Sequence, residues 1–182
     1  MGEMSRNKKL RLLVTTKCPH HCPLCCNNSW NFDELPRVNR WNYQQIMITG
    51  GEPLIHPVRV QLLAHTIRSI ADMQGTNPEI FLYTSICDRR LDRILDSVSG
   101  IVLTPHDKDD VEKFLKTNNR FLEMKRVGYW STISLRLNLF KDIKEMLPAE
   151  TDLSLWKVKD MEWIKDCPVP EGEDFRRIEY LW

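Results

Sequence analysis

Short apolar runs alternate with longer amphipathic stretches over most of this chain. Residues 58–74 carry Val60, Leu63 and Ile67 at the three- and four-residue spacing of a helix that packs one face on a sheet. Residues 131–139 instead alternate apolar with polar positions, as a strand does. Alternation of strands with helices is typical of parallel βα units, so the pattern predicts an α/β protein.

The same pattern gives the individual elements. It predicts strands at residues 10–16, 45–49, 79–83, 101–103, 131–139 and 153–158. It predicts helices at residues 58–74, 88–97, 109–116 and 140–147. Residues 27–44 are largely polar and contain Pro36, so we expect either a turn or two of helix at 32–35 or an irregular crossover.

Chain length bears on the domain organisation. The 182 residues suit one domain and are few for a closed eight-stranded barrel of about 250 residues. The βα pattern stops near residue 160, and the remaining stretch contains Trp163, Tyr180 and Trp182. Aromatic residues near a terminus favour docking, so we expect a core domain at 1–160 and a C-terminal tail at 161–182 that packs on it.

Charge and targeting signals point to no special compartment. The chain has 26 basic and 25 acidic residues, so bulk charge indicates neither nucleic acid nor an anionic membrane as a partner. No apolar run approaches the roughly 18 residues of a membrane span, and residues 1–6 lack the apolar core of a secretory signal. We therefore expect a cytoplasmic protein, in which clustered cysteines are metal-binding or redox groups rather than disulfides.

Four of the six cysteines lie within nine residues, at 18–26, directly behind the first predicted strand. Pro19 and Pro23 remove backbone donors and disfavour helix just before themselves, so this segment is predicted to be a loop. A loop of thiolates at this spacing suits an iron–sulfur cluster better than tetrahedral zinc, whose structural sites usually use two separated pairs.

A second motif, Gly50-Gly51-Glu52-Pro53, follows the second predicted strand. Ligands of parallel sheets bind at the carboxyl ends of the strands, and paired glycines let the backbone approach a ligand closely. Standing alone, the motif would fit an ordinary turn equally well.

The Cys-x-x-x-Cys-x-x-Cys loop after one strand, with Gly-Gly-Glu-Pro after the next, resembles the radical SAM superfamily over about residues 10–160. The resemblance implies a mostly parallel, partial (open) TIM-type (β/α)6 barrel. It also implies that Cys18, Cys22 and Cys25 hold three irons of a [4Fe-4S] cluster, whose fourth iron is left open for S-adenosyl-L-methionine. Cys26 is then spare. The alternative is a closed site in which Cys26, Cys87 or Cys167 supplies a fourth ligand.

The resemblance also implies cofactor contacts near the two motifs. Gly50, Gly51 and Glu52 would line the methionine end of S-adenosylmethionine, where a backbone carbonyl and the carboxylate accept from its ammonium group. Leu24 stands before the third cysteine, where the family usually has an aromatic residue near adenine, and would supply apolar contact without stacking.

Later strand ends supply further candidates. Thr84 and Ser85 stand where the family commonly has a Thr-Asn-Gly turn, although they could instead cap the helix predicted at 88–97. His106 follows the fourth strand and could bind the cofactor or shuttle a proton; the alternative is an ordinary surface or capping residue. Arg136 is the expected carboxylate partner and Asn138 the expected ribose or adenine contact; the alternative is that both lie on an exposed polar face.

By resemblance, the function is reductive cleavage of S-adenosylmethionine to methionine and a 5′-deoxyadenosyl radical, which abstracts hydrogen from an unidentified substrate. Such an enzyme needs a one-electron reductant such as flavodoxin or ferredoxin. A second hypothesis is an activase that installs a glycyl radical on a partner protein. The compact size favours it, but Thr104 and His106 stand where those enzymes tend to have Asp and Lys. A third is a non-catalytic iron–sulfur or zinc binding module.

Overall fold

The computed structural model of this chain describes residues 8–28, 30–128, 132–164 and 168–182. Within these ranges the strands are β1 Lys9–Thr15, β2 Gln45–Gly50, β3 Glu79–Thr84, β4 Gly100–Leu103, β5 Ser134–Phe140, β6 Lys157–Met161 and β7 Glu173–Arg177. The α-helices are α1 Pro57–Met73, α2 Lys108–Arg126 and α3 Lys141–Glu145. The strands form one sheet in the order β6-β5-β4-β3-β2-β1-β7, and all of its pairings are parallel. The predicted α/β class is therefore confirmed.

One face of the sheet packs against the helices and holds the main hydrophobic core. The strand register aligns Leu12 with Ile48 and Ile48 with Leu82, and all three side chains are fully buried. Helix α1 contributes the buried residues Val60, Ala64, Ile67 and Ala71, and α2 contributes Val111, Phe114 and Phe121. Burial of this apolar surface is the main force that holds the helices on the sheet.

The opposite face of the sheet carries a smaller apolar cluster and several charged residues. Met47, Phe81 and Val102 are buried together there, with Tyr83 packed against them. Side chains alternate between faces along a strand, so Arg11 and Arg136 emerge on this same face. A cavity opens on this face, which we call the cavity face.

Most predicted elements agree with the structure to within a few residues. The five strands from β1 to β5, helix α1 and the short helix α3 lie where they were predicted, although β5 begins at Ser134 and Ser131 lies outside the described residues. In the described part of the crossover between β1 and β2, helix is limited to the short 3-10 turns Cys26–Asn28 and Phe32–Glu34, as its polar composition predicted. Helix α2 continues ten residues beyond the predicted end at residue 116, to Arg126.

The helix predicted at 88–97 was wrong. That stretch contains only a 3-10 turn at Leu91–Arg93 among other turns. The Asp88 carboxylate accepts hydrogen bonds from the backbone N–H of Arg90 at 2.9 Å and from its guanidinium at 2.6 Å. Local bonding of this kind by Asp offers the backbone an alternative to helix.

The sixth strand was placed too early, since β6 begins at Lys157 rather than at residue 153. Trp156 points into the helical layer instead, where its ring contacts Phe114 and its indole N–H donates to Asn118 Oδ1 at 2.8 Å. Leu153 and Leu155 pack against the same core as Trp156. Consecutive residues of a strand point to opposite faces, so residues 153–156 do not form a strand.

The C-terminal segment contributes a strand that the sequence analysis did not predict. β7 pairs with β1 and extends the sheet beyond its first strand. Its sequence, Glu-Asp-Phe-Arg-Arg, is mostly polar, and Arg11 of β1 donates to Glu173 Oε2 at 2.8 Å. The chain end then docks at the carboxyl end of β1, where Thr15 Oγ1 donates to the Trp182 carbonyl at 2.9 Å. In the described ranges, no helix combines the length and the apolar character that crossing a bilayer requires.

Candidate functional site

The cysteine loop leaves the carboxyl end of β1 and runs beside the carboxyl end of β2. The backbone N–H of Gly51 donates to the Thr15 carbonyl at 2.7 Å, and that of Glu52 donates to the Lys17 carbonyl at 2.8 Å. The two sequence motifs are therefore in direct backbone contact at the carboxyl ends of the strands, where parallel sheets usually bind ligands.

Glycine at positions 50 and 51 is required by this close approach. A β-carbon at Gly50 would lie 2.3 Å from the Thr15 carbonyl oxygen, and one at Gly51 would lie 2.3 Å from the Lys17 carbonyl oxygen. Both obstacles are backbone atoms, which cannot move aside without displacing the start of the cysteine loop. The chain's own packing thus explains both glycines, and their predicted contact with a cofactor stays a prediction.

Glu52 joins the end of β2 to the end of β3. Its side chain is 1% exposed, and its carboxylate accepts from Thr84 Oγ1 at 2.6 Å, Ser85 N at 2.7 Å, Ser85 Oγ at 2.8 Å and Leu54 N at 2.8 Å. A carboxylate has about four acceptor positions, and four donors occupy them here. The predicted role of Glu52 as an acceptor for a cofactor ammonium stays a prediction; in this arrangement its carboxylate serves the fold.

Thr84 and Ser85 are therefore anchoring groups of the same network. Both are buried, and Thr84 Oγ1 also accepts from the backbone N–H of Ile86 at 3.0 Å. The alternative that they cap the following helix was wrong, because no helix forms there and the 3-10 turn at Leu91–Arg93 has no side-chain cap.

The thiols of Cys18, Cys22 and Cys25 are free and half-buried. The loop that carries them is braced by a hydrogen bond from Cys25 N to the Cys22 carbonyl at 3.1 Å and by the Asn28 side chain, which donates to the same carbonyl at 3.1 Å. Burial raises the pKa of the Cys18 thiol, and burial together with the neighbouring thiols raises the pKa of Cys22 to about 11. Metal binding to Cys18 and Cys22 must therefore release protons.

The other cysteines differ from these three. Cys87 is buried in the helix-side core, and burial raises the pKa of its thiol to about 12. The side chain of Cys26 and the whole of Cys167 lie outside the described residues.

His20, inside the cysteine loop, ties the loop to two other strand ends. Its Nε2 atom lies 3.1 Å from Ser85 Oγ and 3.2 Å from Asp110 Oδ2, and its Nδ1 atom lies 3.5 Å from Asp107 Oδ2. Asp107 caps helix α2 by accepting from Asp110 N at 2.8 Å, and Asp110 Oδ2 accepts from His106 N at 2.9 Å. Sequence reasoning missed this role, because a histidine beside cysteines carries no sign of partners 65 or more residues away.

Among the residues that the structure describes, one set of three His, Cys, Asp or Glu ligand atoms lies mutually within 4.8 Å: His20, Asp107 and Asp110. The carboxylates of this set already cap α2, so their arrangement is explained without an ion. Among the described residues, Cys18, Cys22 and Cys25 do not form such a set.

His106 lies between the cysteine loop and the cavity face. Its ring centroid is 5.3 Å from that of His20, 5.9 Å from that of Trp163 and 6.0 Å from that of Phe140. Burial, reinforced by the neighbouring His20, lowers the pKa of His106 to about 4. A group in this position is neutral at pH 7 and can stack on or hydrogen-bond to a ligand without carrying charge.

We expect the His106 imidazole to stay neutral in the folded protein at about pH 5.5, where an ordinary histidine is largely protonated. Nitrogen-15 correlation spectra of labelled protein should show one neutral tautomer there and a titration near pH 4. The unfolded chain binds this proton at higher pH than the folded chain. His106 should therefore lower stability as pH falls from its ordinary pKa towards 4. A midpoint near its ordinary pKa would contradict the burial described here.

A cavity of about 560 Å³ opens on the cavity face. Its lining includes Arg11 of β1, Tyr83 of β3, Arg136 of β5, Lys157 of β6 and Glu173 of β7. β6 and β7 are the two edge strands of the sheet, so both edges face the same cavity. Trp163 and Phe140, whose rings stack at 4.2 Å, also line it and connect it to His106.

Arg136 and Asn138 both line this cavity, so the alternative of an exposed polar face does not hold. Asn138 Nδ2 donates to Thr104 Oγ1 at 3.3 Å. The Arg136 guanidinium lies 4.0 Å over the Phe81 ring, and its Nε atom is buried without a hydrogen-bond partner among the described residues. Leu24 lies on the cysteine loop with 43% of its surface exposed.

The chain was compared with protein-family models, curated proteins and solved structures. No protein-family model, curated protein or solved structure matches the chain.

Proposed function

We propose that this protein is a radical SAM enzyme, in which Cys18, Cys22 and Cys25 hold a [4Fe-4S] cluster that binds S-adenosylmethionine. One observation carries the proposal. The cysteine loop and the Gly50-Gly51-Glu52 backbone are hydrogen-bonded to each other at the carboxyl edge of a parallel sheet. Either motif alone has an ordinary explanation, and the proposal rests on their meeting where parallel sheets usually bind ligands.

The donor set fits the cluster in chemical type. Three free, half-buried thiols come from one short loop, and thiolates are the usual protein ligands of iron–sulfur clusters. Cys87 is buried in the core, which argues against it as a fourth ligand. A three-thiol set leaves one iron open for a cofactor, as catalytic metal sites leave a position open for substrate.

When bound, the cluster would supply one electron to S-adenosylmethionine, which yields methionine and the 5′-deoxyadenosyl radical that takes hydrogen from a substrate. The chain's own residues would bind and orient. Backbone carbonyls near Gly50 and Gly51 are the expected acceptors for the ammonium group, and Leu24 supplies an apolar contact for adenine. The network of Glu52, Thr84 and Ser85 holds that backbone in place.

Residues of the cavity face complete the proposed cofactor site. Arg136 is the expected carboxylate partner, Asn138 the expected ribose or adenine contact, and His106 a neutral group between the loop and the cavity. The lining of one cavity by both edge strands, with β1 to β6 in chain order, supports a partial (β/α)6 barrel as the finer architecture. The proposal includes a cytoplasmic location and a flavodoxin or ferredoxin as reductant.

The test is anaerobic reconstitution of the purified chain with iron and sulfide, followed by dithionite and S-adenosylmethionine. We expect 5′-deoxyadenosine, detected by chromatography and mass spectrometry. A variant with Cys18, Cys22 and Cys25 all changed to Ala is the negative control, and Cys87→Ala is the matched variant that should keep activity. A cluster with four protein ligands and no 5′-deoxyadenosine would contradict the proposal and support a non-catalytic module.

A further inference from the structure

Three cationic side chains lie together on the cavity face, on the adjacent strands β5 and β6. Arg136 and Lys157 are direct partners in the strand register, and Lys159 follows two positions along β6, opposite Asn138. Neighbouring strands are about 4.8 Å apart and alternate residues share a face, so these side chains emerge close together. All three line the 560 Å³ cavity.

These cations have no carboxylate partners in the described parts of the chain. Arg11, the remaining cation of the lining, is paired with Glu173, which leaves Glu162 as the other carboxylate there. Arg136 packs over Phe81 but makes no ion pair among the described residues, and the same holds for Lys157 and Lys159. The cavity therefore has an excess of positive charge, whereas the chain as a whole is nearly balanced.

This arrangement costs stability in the free protein. Like charges directly opposite each other on one face of a sheet repel, and the guanidinium of Arg136 is partly desolvated. Residues that break a local rule without a compensating contact in the protein tend to mark functional positions. A bound anion would relieve the repulsion and supply the missing acceptors.

The rest of the lining suits an organic ligand of moderate size. The volume falls within the usual range for small-molecule sites, and Tyr83, Phe140 and Trp163 provide flat apolar walls. The carboxylate of S-adenosylmethionine could use one cation but would leave the other two without a partner.

We propose that the cavity binds a small organic anion with two or more negative charges, a phosphate ester or a polycarboxylate, through Arg136, Lys157 and Lys159. The binding of this anion does not depend on the proposed function. Only the further step, that the bound anion is the substrate of the radical reaction, rests on it. Arg136 provides a fixed planar fork of donors, and the two lysines add flexible point charges at the open side of the cavity.

Titration calorimetry of the full chain tests this with two probes, inorganic pyrophosphate and citrate, without added S-adenosylmethionine. We expect at least one probe to bind. The double change Lys157→Gln with Lys159→Gln should weaken that binding by about tenfold or more, since two charge-assisted contacts are lost. The control is Lys116→Gln with Lys125→Gln, the same charge change on exposed positions of α2. It should bind as the unchanged protein does, and thermal melting should show both double variants folded.

Each outcome decides the proposal. Tighter binding of pyrophosphate supports a phosphate ester, and tighter binding of citrate supports a polycarboxylate. Failure of both probes, or an equal loss in the control variant, would overturn it. Formation of 5′-deoxyadenosine is measured on the same preparation, so a failure of anion binding is distinguishable from a failure of the radical chemistry.

Discussion

Changing Cys22 to alanine is expected to abolish the brown colour and visible absorbance of the reconstituted protein, and Cys18→Ala and Cys25→Ala should do the same. Each thiol would hold one iron. After one substitution only two of these thiols remain, so two of the four irons have no protein ligand. The effect should be near-complete loss of bound iron and sulfide rather than weakened binding. Absorbance spectra with iron and sulfide analysis after anaerobic desalting measure it directly.

Two single-cysteine changes serve as controls. Cys87→Ala removes a thiol that is buried in the helix-side core, so the cluster should persist. Cys26→Ala should also leave the cluster, because the resemblance assigns no iron to that residue. Retention of a [4Fe-4S] spectrum in Cys22→Ala, or its loss in Cys26→Ala, would show that the ligand assignment is wrong.

The fold could be predicted wherever local pattern and burial agree. β2 and β3 are short apolar runs buried on both faces of the sheet, and α1 has a regular apolar stripe, so their sequences are sufficient. Helix α2 was predicted too short because its buried positions include Thr117 and Asn118, whose polar side chains hide the stripe. Thr117 donates to the Cys87 carbonyl and Asn118 to the Asp152 carbonyl, and neither partner is visible from the local sequence.

β7 could not be predicted because its stability comes from long-range polar contacts. Its five residues have no apolar alternation, and it is held by pairing with β1 and by the bond from Arg11 to Glu173, 162 residues apart. The helix prediction at 88–97 failed for a different reason. Its apolar spacing fits a helix, but the Asp88 carboxylate organises a local turn that the spacing does not reveal.

The candidate site, like the fold, could be predicted from the sequence only in part. The proximity of the two motifs follows from a general property of parallel sheets, so Cys18 and Gly51 could be brought together from sequence alone. The partners of Glu52 and His20 could not, because each side chain bonds to groups on distant strand ends. Lys157 and Lys159 were missed because the strand was predicted at 153–158, where Leu153 and Leu155 stand at the same alternating positions as Lys157 and indicate an apolar face.

Glu52→Ala is expected to lower the free energy of unfolding of the cluster-free protein by about 3–5 kcal/mol, since it leaves several buried donors without an acceptor. The donors are two backbone N–H groups, of Leu54 and Ser85, and the hydroxyls of Thr84 and Ser85. The hydroxyls can rotate towards other partners, but the two N–H groups cannot. Urea denaturation followed by circular dichroism gives the measurement.

Comparison variants separate this structural role from cofactor binding. Glu52→Gln keeps the shape but turns an NH2 group towards the donors, so it should lose about half as much stability as Glu52→Ala. Glu79→Ala removes an exposed carboxylate at the start of β3 and should change stability by no more than about 0.5 kcal/mol. Glu52→Ala could instead unfold at the same urea concentration as the unchanged protein and lose only affinity for S-adenosylmethionine. The carboxylate would then be a ligand group, and its hydrogen-bond network would contribute little to the fold.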